Sequence, residues 1–193
     1  MSTDKKILDV GCGRNKYPGA VGLDYNSKTD ADVIHDLGMT PYPFPENEFD
    51  EVIGTHVIEH VPDVVAFVTE LVRLTKPGGR IRIVTPHYTN PSWAADPTHR
   101  NHLSSYTFNY FIDDPAHRHF PFYTDIKLKP LRIYVTLANL WRILGLQFVV
   151  NLDQRWPAMR FTRKFWEQYL SYIFRGKDLY FEFEVIKPTF GKC

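Results

Sequence analysis

A short apolar strand that closes on an acid and two glycines is the feature that most constrains this chain. Residues 5–10 (KKILDV) read as a buried strand, and Gly11, Cys12 and Gly13 break it at once. Glycine lets backbone approach a ligand where a side chain would hold it off. Asp9, on the strand end, can accept a hydrogen bond from a ligand ammonium group. Two nucleotide-binding loops fit poorly. Arg14, Asn15 and Lys16 stand where a dinucleotide fingerprint has its third glycine, and Lys16 lacks the Ser or Thr that follows it in a phosphate-cradling loop.

The same grammar repeats downstream. Residues 21–24, 32–36, 49–54 and 80–85 read as further short strands. Val64, Phe67, Val68, Leu71 and Val72 recur at helical spacing, with Pro62 near the start and Lys76, Pro77, Gly78 and Gly79 as the stop. Short apolar strands alternating with loops or a helix predict an α/β fold with a parallel sheet, whose ligands bind at the carboxyl ends of the strands. The chemistry is therefore expected on the loops after Val10, Asp24, Asp36, Gly54 and Thr85. Beyond them, a helix is predicted over 104–112, a strand over 123–135, an aromatic amphipathic helix over 161–174, and a last strand over 179–187 that pairs with 123–135.

Two of these strand ends carry acids of their own. Asp24 closes the second strand, where a carboxylate can accept from both hydroxyls of a ribose; the plainer reading is an Asp that caps a turn. Asp36 closes the third, where an adenine amine can donate to it, and it too reads plainly as a loop-start Asp. Asp9, Asp24 and Asp36 on three consecutive strand ends make a stronger case together.

These residues carry a family resemblance. The strings ILDVGCG (7–13), VGLDYN (21–26), DVIHDL (32–37), PFPENEFDEVIGTHVIEHV (43–61) and KPGGRIRIVTPH (76–87) resemble the class I S-adenosylmethionine-dependent methyltransferases, in a short form whose second strand follows the glycine loop almost directly. The resemblance implies a Rossmann-like, mostly parallel seven-stranded sheet with an antiparallel last strand. It implies S-adenosyl-L-methionine as cofactor, with Asp9 and Gly11 near the methionine moiety, Asp24 on the ribose and Asp36 on the adenine. Cys12, Gly13, Tyr25 and Leu37 are grouped with them, and His56 falls where the family lines the transfer side. Residues 14–20 are too few for the usual first helix. That loss is tolerable for a cofactor without phosphates and argues against NAD. Glu59 and His60 resemble the family's Glu-His pair, and are read as a helix-start carboxylate and a packed His.

The remainder differs in character. Aromatic residues make up 15% of the chain, most of them after Tyr88. Residues 1–193 are read as one methyltransferase domain, with a cofactor-binding half at 5–87 and an acceptor-binding and lid half at 88–193, built from aromatic-rich insertions. His87, His99 and Asp96 lie just past the strand whose end faces the transferred methyl. An oxygen nucleophile needs a base, so His87 or His99 is expected to take the acceptor's proton, with Asp96 orienting an imidazole. A metal site of His and Asp is a second reading, though no metal is assigned; a loop with an Asx turn at Asp96 is the plain one. Tyr88, Trp93, Tyr106, Phe108, Tyr110 and Phe111 are either a pocket floor or core.

The expected activity is O-methylation of a saccharide-like or other small hydroxylated acceptor. N-methylation of a small molecule, lipid or nucleic acid, or a non-catalytic binding module on the same fold, are the alternatives. A net charge of +1 gives no global attraction to nucleic acid. Residues 155–174 interleave Arg and Lys with Trp, Tyr and Phe, which suits a lid, a homodimer face or a peripheral membrane contact. Two cysteines and the absence of a long apolar run lead to the expectation of a cytoplasmic protein.

Overall fold

Seven strands build one sheet in the order β3-β2-β1-β4-β5-β7-β6 in a computed structural model that describes residues 5–112 and 124–187. The strands are β1 (Ile7–Val10), β2 (Val21–Asp24), β3 (Val33–Ile34), β4 (Phe49–Thr55), β5 (Thr75–Pro86), β6 (Lys127–Leu137) and β7 (Gly176–Ile186). The first five run parallel, and β7 lies antiparallel between β5 and β6. The expected pairing of the last strand with the segment before the long excursion is present, from Lys127 opposite Ile186 to Leu137 opposite Gly176. That earlier strand begins at Lys127, and the predicted start at 123 falls outside the described residues.

Helix α1 (Val64–Leu74) is the one predicted from spacing. Asp63 caps it by accepting from Val65 N–H and Ala66 N–H, and Phe67, Val68, Leu71 and Leu74 are buried against the sheet. Its Glu70 and Arg73 also fix the proline-rich loop after β3. Glu70 accepts from Tyr42 N–H at 2.7 Å and from the Arg73 guanidinium, which in turn donates to the carbonyls of Tyr42 and Phe44, both at 2.9 Å. No helix fills the links from β1 to β2, β2 to β3, or β3 to β4, so loops cover that end of the sheet.

The helix predicted over 104–112 is instead one tight helical turn, Thr107–Tyr110. Phe108 and Phe111 pull this segment onto the sheet: Phe108 stacks against Phe181 and Phe183, with ring centroids 4.5 and 4.9 Å away. Two of the six candidate pocket aromatics are thus core, while Tyr88, Trp93, Tyr106 and Tyr110 stay half-buried.

Between β6 and β7 come α2 (Asn139–Ile143), α3 (Leu146–Val150), two helical turns, α4 (Arg160–Phe165) and a wide-turn continuation, Trp166–Leu170. An edge strand presents unpaired backbone groups that need covering. Here side-chain amides do it. Asn151 accepts from Val135 N–H and donates to Val135 carbonyl, both at 2.8 Å, while Gln147 accepts from Leu137 N–H. The 160–170 segment is amphipathic in the reverse of the usual sense. It buries Arg163, Trp166 and Glu167 and exposes Phe161, Phe165 and Tyr169. Arg163 pairs with Asp153 at 2.7 Å and donates to Ile133 carbonyl, so polar bonds hold this segment down.

Burial alone would raise the Glu70 carboxyl, but Arg73 and Tyr42 N–H outweigh it and hold it below the usual range. Replacement of Glu70 by Ala is expected to lower stability by about 2–3 kcal/mol in urea unfolding. A depressed folded pKa means this contribution is complete above the unfolded value, about 4.3, and fades as pH falls through the folded one. The gap between wild type and variant should therefore close in acid; a gap that persists there would contradict this role.

Candidate active site

The carboxyl ends of β1 and β2 bring two buried carboxylates together. Asp9 accepts from Tyr17 N–H at 2.8 Å, which folds the 11–20 link back against β1. Asp24 accepts from Gly13 N–H at 3.0 Å and Asn26 N–H at 2.9 Å. Burial raises the Asp9 carboxyl, with the Asp24 charge adding to it. Cys12, buried between them, is pushed up to about 11 by burial and by both carboxylates, so its thiol stays protonated at neutral pH. Gly11 and Gly13 both adopt positive φ. A Cβ on Gly11 would lie 2.5 Å from Val57 Cγ2, so glycine is required where the β1 loop crosses the β4 loop. A Cβ on Gly13 would meet nothing within 4 Å, which leaves bare backbone beside Asp24 facing open space. Tyr25 follows Asp24 and is exposed.

Asp36 stands apart from this pair. Its carboxylate is exposed and accepts from Gly38 N–H at 2.8 Å, the turn-capping geometry that was the plainer reading. Leu37 is half-buried, its carbonyl accepting from the Tyr42 hydroxyl. His56 follows β4 with φ +53, an uncommon conformation for a non-glycine residue and one found where a fold holds strain locally. It is anchored by donation from its N–H to Val84 carbonyl at 2.8 Å, with its half-exposed ring at the carboxyl end of β4.

Past β5 the expectations need correction. His87 is fully buried: its Nε2 donates to Glu167 at 2.9 Å and its Nδ1 accepts from Thr89. With both nitrogens used, it has no lone pair for an acceptor's proton; it locks the 166–170 segment to the end of β5. Asp96 does not orient His99. Its Oδ2 is 3.8 Å from His99 Nε2, too far for a hydrogen bond. Asp96 Oδ1 instead accepts from Thr98 N–H and the Thr98 hydroxyl, the Asx turn of the plain reading, and through Thr98 it reaches His60 Nδ1. His99 is placed by Trp93 carbonyl, 2.8 Å from its Nδ1.

Glu59 also departs from its reading. It precedes α1 and is fully buried, accepting from the Thr85 hydroxyl at 3.0 Å and facing His56 Nδ1 at 3.2 Å. Its carbonyl accepts from Arg100 N–H and Asn101 N–H, and the Asn101 amide donates to Ile58 and Val61 carbonyls. The 98–101 loop is thus stapled to the 58–61 turn, and the rings of His60 and His99 meet at 4.6 Å. Sequence spacing gave no signal for this contact, because the two residues are far apart in the chain.

A larger cavity of about 580 Å³ opens elsewhere, between the 105–112 segment, β6 and α4. Tyr106, Asn109, Ile133 and Lys164 are among its lining residues. The Tyr106 hydroxyl is buried there without a hydrogen-bond partner among the described residues.

Comparison with known proteins bears on the family likeness and the fold. Residues 8–83 match the family described as a methyltransferase domain. Over 199 residues the chain is 29% identical to tocopherol O-methyltransferase of Arabidopsis thaliana, covering 89% of this chain and 54% of that protein. Over 113 residues it is 29% identical to demethylmenaquinone methyltransferase of Listeria monocytogenes, covering 45% of this chain and 47% of that one. The chain spans about half the length of these curated relatives. The solved structure of an S-adenosylmethionine-dependent methyltransferase from Archaeoglobus fulgidus superposes with a TM-score of 0.59 at 17% identity, over 93% of this chain and 86% of that one. The matched domain at residues 8–83 and the strand order with its reversed β7 are similar to those of the class I S-adenosylmethionine-dependent methyltransferases, and the solved structures share the fold.

Proposed function

We propose that this chain methylates a hydroxyl of a small, saccharide-like acceptor, using S-adenosylmethionine, and works against an anionic membrane surface. The observations that carry the reading are two buried carboxylates beside bare backbone at Gly13, on the carboxyl ends of β1 and β2, and an imidazole–carboxylate cluster in the loops that follow β4 and β5. S-adenosylmethionine supplies an electrophilic methyl on a positively charged sulfur. Asp24 is suited to accept from ribose hydroxyls, and Asp9 to complement the ammonium charge. An oxygen acceptor has to lose its proton as it reacts, and Glu59, His60, His99 and Asp96 supply the titratable groups for that on one rim. Trp93 packs on His102 at 3.7 Å between ring centroids and remains half-buried, offering an aromatic face of the kind that takes a sugar ring. The names of the relatives, tocopherol and demethylmenaquinone methyltransferases, support a small-molecule acceptor.

The surface reading rests on the inverted amphipathic segment. Ile143, Phe148, Phe161, Phe165, Tyr169 and Tyr172 are all exposed, and Arg142, Arg155, Arg160 and Lys164 are interleaved with them in sequence. Apolar groups flanked by cations suit the interface of an anionic bilayer. Among the described residues no helix is long and apolar enough to cross a membrane, so contact would be peripheral.

Two measurements test this. Replacement of Asp24 by Asn should weaken S-adenosylmethionine binding by about 10- to 100-fold in calorimetry, the value of charge-assisted hydrogen bonds to the ligand, with an unchanged circular dichroism spectrum; equal affinity would sink the cofactor placement. In vesicle co-sedimentation, the protein should pellet with phosphatidylglycerol-containing vesicles, less so at high salt, and the double variant Phe161→Ser/Phe165→Ser should bind several-fold more weakly. Absence of pelleting would remove the surface from the proposal while leaving the cofactor reading intact.

A further inference from the structure

We infer that Glu59, His60 and His99 form a binding site for one divalent transition-metal ion of the zinc type, at the rim where the acceptor is expected. One donor atom from each residue lies within 4.8 Å of the others, the one such group among the described residues. Around an ion with bonds of about 2.0–2.1 Å, tetrahedral donors sit about 3.4 Å apart. Side-chain rotations of about an ångström therefore close the set.

The hydrogen bonds behind the cluster are what distinguish it from a chance gathering of histidines. A carbonyl oxygen can only accept, so the contact of His99 Nδ1 with Trp93 carbonyl puts the proton on Nδ1 and the lone pair on Nε2. The Thr98 hydroxyl donates to Asp96 at 2.6 Å, and its oxygen is then left to accept from His60 Nδ1–H at 2.9 Å. His60 also has its lone pair on Nε2. Each ring has its Nδ1 tied to a carbonyl or to a hydroxyl backed by a carboxylate, which leaves Nε2 as the ligating nitrogen. That outer shell fixes tautomer and orientation in metal sites.

Glu59 adds an independent argument. Its carboxylate is fully buried, and among the described residues neither Lys nor Arg pairs with it. Its charge partner among the described residues is the His56 imidazole at 3.2 Å, and a bound divalent ion would balance the buried charge more fully. Two imidazole nitrogens and one carboxylate oxygen favour zinc and neighbouring transition ions over magnesium or calcium, which prefer all-oxygen shells. Three protein donors leave one position open, as in catalytic rather than structural zinc sites. Asp96 Oδ2, 3.8 Å from His99 Nε2, stands at its edge. If the proposed O-methylation holds, a hydroxyl bound there would ionise more readily, which is the task the rim was assigned. The metal site itself does not depend on that reading.

The test uses the full chain, stripped with chelator and titrated with Zn²⁺ against a chromogenic competitor, then with Co²⁺ for its visible spectrum. One equivalent should bind, and Co²⁺ should give the intense visible bands of a four-coordinate site. His60→Ala and His99→Ala should each weaken binding about 100-fold or more, and Thr98→Val about tenfold, the usual loss for an outer-shell partner. A circular dichroism spectrum and thermal unfolding midpoint matching the parent protein report that each variant is folded. Substoichiometric binding, or binding unchanged in both histidine variants, would overturn the site. Zinc binding with these properties in a protein that fails to bind S-adenosylmethionine would uphold it while removing the proposed activity.

Discussion

Residues 11–20 are all the chain that joins β1 to its parallel neighbour β2, and that shortness decides what the cofactor face is made of. A parallel connection ordinarily spends a dozen or more residues, most of them on a helix. Here the loop has to be held by side chains. Asp9 takes Tyr17 N–H, while Lys16 forms a two-pronged pair with Asp32, which itself accepts from Gly22 N–H on β2. The Lys16–Asp32 pair is exposed and worth little alone; its role is to keep a helix-free loop in one place. Asp9 is thus a brace for the loop, and the usual helix N-terminus below a phosphate is replaced by nothing a dinucleotide would want.

The sequence was most legible where a residue's partner lies nearby or on an adjacent strand. The α1 pattern and its stop, the strand ends at Asp9 and Asp24, and the pairing of the last two strands all follow from period and punctuation. Legibility fell where a polar side chain had two local options. Asp24, Asp36 and Asp96 all accept from the backbone N–H two residues on, because an Asx turn costs little entropy and needs no distant partner, and Asp24 alone of the three is buried. His87 was misread for the opposite reason: its partner, Glu167, is eighty residues away, and nothing in spacing announces a buried imidazole–carboxylate pair.

That pair also explains the inverted 160–170 segment. Helix periodicity alone assigns Phe161 and Phe165 to the core and Arg163 and Glu167 to solvent. The fold reverses this because Glu167 has His87 and the Ser105 hydroxyl to meet, the latter at 2.6 Å, and Arg163 has Asp153 and an edge-strand carbonyl. Buried polar networks that are satisfied at each member specify a unique arrangement. The aromatic side chains are left outside as a consequence.

The two halves of the chain then meet at the end of β5. Thr85 holds Glu59, and His87, two residues on, holds Glu167. In an extended strand, residues two apart face the same side, so one strand end positions both the rim cluster and the aromatic segment. A shift of the 160–170 segment would pull on His87 and thereby on the strand end that carries Thr85 and the Glu59 cluster. The arrangement ties the 160–170 segment and the Glu59 cluster to one strand end, each through its own buried hydrogen bond.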